Sequence, residues 1–181
     1  IARDELVDAM LPGFSSRRHS STFGGNGLAM AVGLKALEML VEGGFDERAR
    51  HDGEAGLVRL RAIADAHPAL IRDVRGSGLL YAIELRNVLR PRFLGGRSQL
   101  GRLFASGLGV RALHHAGVHA CLSITASGVV RLTPALDMPA NVQEEMWARV
   151  ERFADRYPQA WRLALSAGPA RLARLAALAA K

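Results

Sequence analysis

The run His19-Ser20-Ser21-Thr22-Phe23-Gly24-Gly25-Asn26-Gly27 passes at once into an apolar, small-residue stretch that reads as a helix. Hydroxyls and free backbone N–H groups bind oxyanions, and glycines let the backbone approach a ligand closely. These residue types in this order describe a phosphate or carboxylate site at a helix start. They also describe an ordinary capped turn that binds nothing. Three other groups of residues invite a chemical reading. His114, His115, His119 and Cys121 stand close in sequence, but zinc sites usually show paired ligands at short fixed spacings in two halves, so no metal site is expected here. Cys121 falls in an apolar strand pattern, where cysteine behaves as a small hydrophobe rather than a nucleophile. Gly76-Ser77-Gly78 lacks the third glycine and the following helix of a dinucleotide-binding turn.

The elements that hold these residues can be read from periodicity and turn chemistry. Ile1 to Met10 reads as a short helix stopped by Pro12-Gly13, and 14–27 as a loop. Leu28 to Glu42 is helical, with Lys35, Glu38 and Glu42 as a narrow polar stripe on an otherwise buried surface. Lys35 precedes Glu38 by three residues, so an ion pair is its expected fate. Asp46 to Ala66 is a second helix whose apolar face carries Ala49, Gly53, Leu57, Leu60 and Ala64. Strands follow at 71–75 and 79–85, then a Pro/Gly/Arg loop at 87–96 and a helix over 98–106. Short strands are predicted at Gly109–Leu113, His119–Ile124 and Val129–Leu132. Pro139 to Asp155 is a helix opened by proline and by Glu144-Glu145, with Val142, Met146, Val150 and Phe153 on one face. Trp161 to Lys181 is helical, interrupted at Gly168-Pro169. Helices around a strand-rich middle imply an α+β domain with helices over a mainly antiparallel sheet.

Composition excludes several classes. The 181 residues are 49% hydrophobic, too apolar for a disordered chain. The net charge of +7 comes almost wholly from arginine, because Lys35 and Lys181 are the only lysines. A GC-rich genome produces that bias together with many alanines and glycines. The arginines are scattered and aromatics make up only 6% of the chain, which argues against nucleic-acid binding. No signal peptide and no run of about 18 apolar residues is present, so neither export nor a membrane span is expected. The single cysteine fits a reducing, cytoplasmic compartment. The chain starts at Ile1 rather than methionine, and we expect a fragment or piece of a longer chain.

Three motifs in order give a more specific reading. HSSTFGGN before a small-residue helix resembles the class III aminotransferases, in the branch holding ornithine, acetylornithine and putrescine aminotransferases. Asp73-Val74-Arg75-Gly76-Ser77-Gly78-Leu79-Leu80, continuing to Ile83-Glu84-Leu85, is similar to the strand-turn-strand that opens the small domain of that family. Val129-Val130-Arg131-Leu132-Thr133-Pro134 resembles its strand ending in an arginine, then a proline-containing turn. Gly27 and Ala135 stand where the family usually has proline. The resemblance covers roughly residues 1–156.

The resemblance implies a piece of a fold-type I, α/β aminotransferase dependent on pyridoxal 5'-phosphate. Residues 1–44 would end the large cofactor domain and carry the dimer-interface loop and connecting helix. Residues 45–156 would form the small C-terminal domain; 157–181, beyond the resemblance, is read as a helical tail or linker that either packs on the small domain or leads to a further domain and is dispensable for the fold. In a homodimer, Ser21 and Thr22 would reach the cofactor phosphate held by the other subunit. Arg131 would bind the carboxylate of the amino acid or of 2-oxoglutarate, a fit of guanidinium fork to carboxylate. Arg75 would be structural, pairing with carboxylates or carbonyls. The lysine that joins the cofactor covalently lies upstream of the TFGGN motif in the family, so no catalytic residue is expected in this chain and it should be inert alone. The competing reading is a non-catalytic dimerisation or scaffold module that keeps the fold, within a multidomain biosynthetic protein.

Overall fold

The computed structural model describes residues 3, 5, 6, 9, 22–87, 98–123 and 125–168. Most of the helix expected at Ile1–Met10, the helix expected beyond Gly168, and Ser21 lie outside these residues. The chain divides into two compact units, Ile1–Gly43 and Gly44–Lys181.

The first unit is dominated by α1, Gly27–Glu42. Asn26 caps it, its side-chain oxygen accepting from the Ala29 N–H at 3.0 Å. Gly43 closes it, its N–H donating to the Met39 carbonyl at 2.9 Å. Lys35 and Glu38 pair at 3.1 Å as their spacing predicts. The expectation of a buried helix is not met in this chain. None of its residues is buried, and eight large apolar side chains from Leu28 to Val41 are 42–77% exposed. Within this unit no described residue covers its apolar surface.

The second unit holds a four-stranded antiparallel sheet of order β1-β2-β4-β3, made of β1 Ile71–Ser77, β2 Leu80–Leu85, β3 Cys121–Leu122 and β4 Val129–Leu132. β1 and β2 are joined through Gly78-Leu79. Gly78 adopts φ +52°, a value that an L side chain rarely takes. α2 (Phe45–Ala66), α3 (Ser98–His115), α4 (Ala140–Arg156) and α5 (Ala160–Leu165) complete the unit. Tyr81, Ile83, Leu85, Val130 and Leu132 point to one sheet face and are buried with Leu60 and Ile63 of α2 and Trp147, Val150 and Phe153 of α4. Two glycines let α2 come close. A Cβ on Gly53 would collide with the backbone of Gly78, and one on Gly56 would lie 2.7 Å from Trp147. Tyr81 meets Trp147 edge-on at 5.1 Å, and its hydroxyl donates to the Asp52 carbonyl at 3.2 Å.

Two expectations are corrected. Gly109–Leu113 is not a strand but part of α3, which continues to His115. Gly107, Gly109 and Val110 are weak helix formers, which hides the helix in the sequence. Packing overrides them, because Ala105, Leu108, Ala112 and Leu113 form one buried helical stripe. Gly109 is needed for contact rather than for a turn, since a Cβ there would sit 2.5 Å from Leu85 Cδ1. Secondly, α4 begins at Ala140 with Pro139 at its cap, and its first turn holds no acidic residue. Glu144 and Glu145 come one turn later. Of the two placements expected for the stretch after Tyr157, packing on the small domain or linking to a further one, residues 160–167 take the first. Leu163 is fully buried, and Ala160, Ala164 and Ala167 are buried with it.

Candidate functional site

Each sequence-identified residue is positioned by a distinct element. Thr22 lies in the turn 22–25 ahead of α1. In that turn the Asn26 N–H donates to the Phe23 carbonyl at 3.2 Å, and Gly25 takes φ +76°. With Asn26 used for capping, the Thr22 hydroxyl and the N–H groups of Phe23, Gly24 and Gly25 have no partner among the described residues. They form a set of neutral donors in open solvent, the donor chemistry that a phosphate dianion takes. Ser21 lies outside the described residues.

Arg131 lies in β4, and cross-strand pairing defines its surroundings. Arg75, Ala82, Arg131 and Cys121 stand opposite one another across the four strands. Directly paired residues share a face. That face is the one turned away from the Ile83–Val130 core. The two arginines in the row differ in what they touch. Arg75 is held by Asp73 at 2.9 Å and Glu84 at 3.4 Å, and Glu84 also takes Arg72 at 3.1 Å. Arg75 thus has the structural role expected of it. Arg131 is exposed and has no ion pair or hydrogen bond among the described residues. The sheet therefore offers one uncommitted guanidinium, fixed at its base by strand pairing on both sides. A fork so placed binds a planar carboxylate bidentately.

The histidine group resolves into separate contacts. His114 Nε2 lies 2.8 Å from the Ala120 carbonyl, and its ring stacks on His119 at 5.2 Å. Cys121 Sγ is 3.8 Å from His119 Nε2. Among the described residues no group of three or more His, Cys, Asp or Glu could hold a metal ion. No described helix is long and apolar enough to cross a membrane. Sequence reasoning missed that Arg131 has Cys121 and Ala82 as its lateral neighbours. The signal was the register of three short strands, which the expected strand at Gly109–Leu113 obscured.

Comparison with known proteins gives concordant results. The profile of the family Aminotransferase class-III matches residues 1–153. The chain is 41% identical over 106 residues to the ornithine aminotransferase of Bordetella pertussis, covering 59% of this chain and 24% of that protein. It is 34% identical over 142 residues to the acetylornithine aminotransferase of Agrobacterium fabrum, covering 78% of this chain and 31% of that protein. Among solved structures, the ornithine aminotransferase of Toxoplasma gondii, which holds PLP at partial occupancy in its active site, superposes with a TM-score of 0.59. That match has 26% identity and covers 84% of this chain and 32% of the other. The chain spans about a quarter to a third of the length of these relatives.

Proposed function

This chain belongs to the class-III aminotransferase family, and from that premise we propose that it is the C-terminal part of a pyridoxal 5'-phosphate-dependent transaminase. The parent moves an amino group between an amine or amino acid and a 2-oxo acid or aldehyde, in the ornithine, acetylornithine and putrescine branch. The observation that carries this reading is the uncommitted guanidinium of Arg131, two strands from an Arg75 held by carboxylates. Residues 1–44 end the cofactor domain and 45–156 form the small domain, into which the segment to Ala167 also packs.

The roles follow from the residue chemistry. Thr22, with Ser21, donates neutral hydrogen bonds to the cofactor phosphate held by the other subunit of a homodimer. Neutral donors anchor a dianion without adding charge. Arg131 grips the carboxylate of the 2-oxo acid or amino acid and fixes its orientation, which lowers the entropic part of the barrier. The bound cofactor supplies the electron sink on which the amino group changes carrier. The lysine that joins the cofactor covalently is not assigned to this chain, because Lys35 is committed to Glu38 and Lys181 is terminal. Alone, the chain is inert, and the parent is a cytoplasmic enzyme.

The exposed apolar surface of α1 supports the fragment reading, since it needs a cover that the described residues of its own unit do not provide. A scaffold module would need the same surface but would have no use for a free Arg131. Peptide mapping tests the reading. After borohydride treatment with cofactor, the full-length protein should carry its adduct on a lysine outside these 181 residues and transfer amino groups to 2-oxoglutarate. A stoichiometric adduct at Lys35, together with turnover by the isolated chain, would overturn it.

A further inference from the structure

Away from the open sheet face, α3, α4 and the end of α5 line an open cleft of about 670 Å³. Its apolar floor is Leu108, Ala112 and Phe153. Its polar wall is built from two helices at matched spacing: Arg111 and His115 one turn apart on α3, Arg152 and Arg156 one turn apart on α4. The Tyr157 ring and Ser166 complete the lining.

The charge in this cleft is poorly balanced. Arg152 shares one carboxylate, Glu145 at 2.9 Å, with Arg149, which lies 2.8 Å from it. Arg156 has only the face of Tyr157, 5.8 Å from its ring centre. Arg111 and His115 have no ion pair or hydrogen bond among the described residues. Helix dipoles offset part of this, because α3 and α4 both end here and each C-terminus contributes about half a negative charge. Three guanidinium groups against one shared carboxylate and two partial charges still leave a surplus of positive charge. These side chains are exposed and water screens them in part, so the surplus acts mainly as an attraction for an anion entering the cleft.

We propose that this cleft binds a small organic anion carrying at least two clustered negative charges, a diphosphate or polycarboxylate group on a short planar or apolar body. The charged end takes Arg111, Arg152 and Arg156, whose forks suit oxyanions, and the body lies on Leu108, Ala112 and Phe153. The volume lies in the range of small-ligand sites. The site is separate in chemistry from Arg131, which offers a single guanidinium on the opposite sheet face; only the use of the holoenzyme in its test rests on the transaminase reading.

The test uses the full-length holoenzyme, whose cofactor already occupies its own phosphate site. Calorimetry at low ionic strength with inorganic pyrophosphate, adenosine diphosphate and citrate separates phosphate from carboxylate chemistry and tests the contribution of a planar body. Saturable 1:1 binding of at least one probe is expected, with adenosine diphosphate tighter than pyrophosphate if the floor contributes. R111Q and R156Q should each weaken the bound probe about tenfold, roughly one charge-assisted contact. Both residues are exposed, so neither variant should unfold. Absence of binding by all three probes, or equal binding by wild type and the R111Q/R156Q double variant, would overturn the proposal.

Discussion

Replacing Thr22 by alanine removes one hydroxyl that no described residue uses. The folded chain should lose almost nothing, because exposed substitutions without partners change stability by about 0.5 kcal/mol or less. The cost should appear only in cofactor binding. A hydrogen bond to a charged group contributes about 1.5–3 kcal/mol, so cofactor affinity should fall roughly 10- to 150-fold. Fluorescence titration of the full-length apoprotein measures this directly. The same variant tests whether the donor serves the neighbouring subunit. Mixed with a variant lacking the cofactor lysine, Thr22→Ala subunits reassociate at random into about half heterodimers. Each heterodimer contains one site with both the lysine and the threonine intact. At a cofactor concentration that leaves Thr22→Ala homodimers empty, the mixture should therefore recover about a quarter of wild-type activity, where neither variant alone has any. If heterodimers form and activity stays at the sum of the separate variants, the cross-subunit role is wrong. If Thr22→Ala binds cofactor within twofold of wild type, the threonine is only part of a turn.

Three further outcomes follow from the packing. Gly53→Ala should destabilise the protein by about 1–3 kcal/mol in urea melts, despite its better helix propensity, because the new methyl meets the Gly78 backbone. Leu163→Ala should cost about 2–5 kcal/mol, and truncation after Tyr157 more, since Leu163 is fully buried in the core; unchanged thermal stability would return α5 to the status of a tail. Burial first, then the nearby Asp52 carboxylate, pushes the Tyr81 hydroxyl up to about 12. Its neutral form is the one the fold favours, so this contribution is complete below about pH 10 and is lost as pH rises toward 12. Tyr81→Phe should flatten that alkaline decline and lose about 1 kcal/mol at neutral pH with the hydrogen bond to Asp52.

Much of this was legible in the sequence where local chemistry and tertiary demand agree. α1, α2 and α4 combine a clear apolar pattern with stops at Gly43-Gly44, His67-Pro68 and Pro158. The β1–β2 hairpin is signalled by its Gly-containing turn. α3 defeated the reading because its glycines serve helix-to-sheet contact, so propensity and packing point in opposite directions. The exposure of α1 could not be foreseen, since an apolar pattern states a need for burial and not whether the partner is present. The arginine cleft was hidden for a related reason. Arg111 and His115, like Arg152 and Arg156, show helical spacing, but only the fold brings the two pairs together.

The account stands most directly on Arg131. In the full-length enzyme the two half-reactions can be followed separately through cofactor absorbance, one with a carboxylate-free diamine and one with 2-oxoglutarate. Losing a bidentate grip on a carboxylate costs about 3 kcal/mol or more, so Arg131→Ala should lower kcat/KM for 2-oxoglutarate by roughly 100-fold or more. Arg131→Lys keeps the charge without the fork and should recover only part of that. The diamine half-reaction and cofactor retention should stay close to wild type in both variants. Equal damage to the diamine and to 2-oxoglutarate, or loss of bound cofactor, would show that Arg131 holds the sheet and not the substrate.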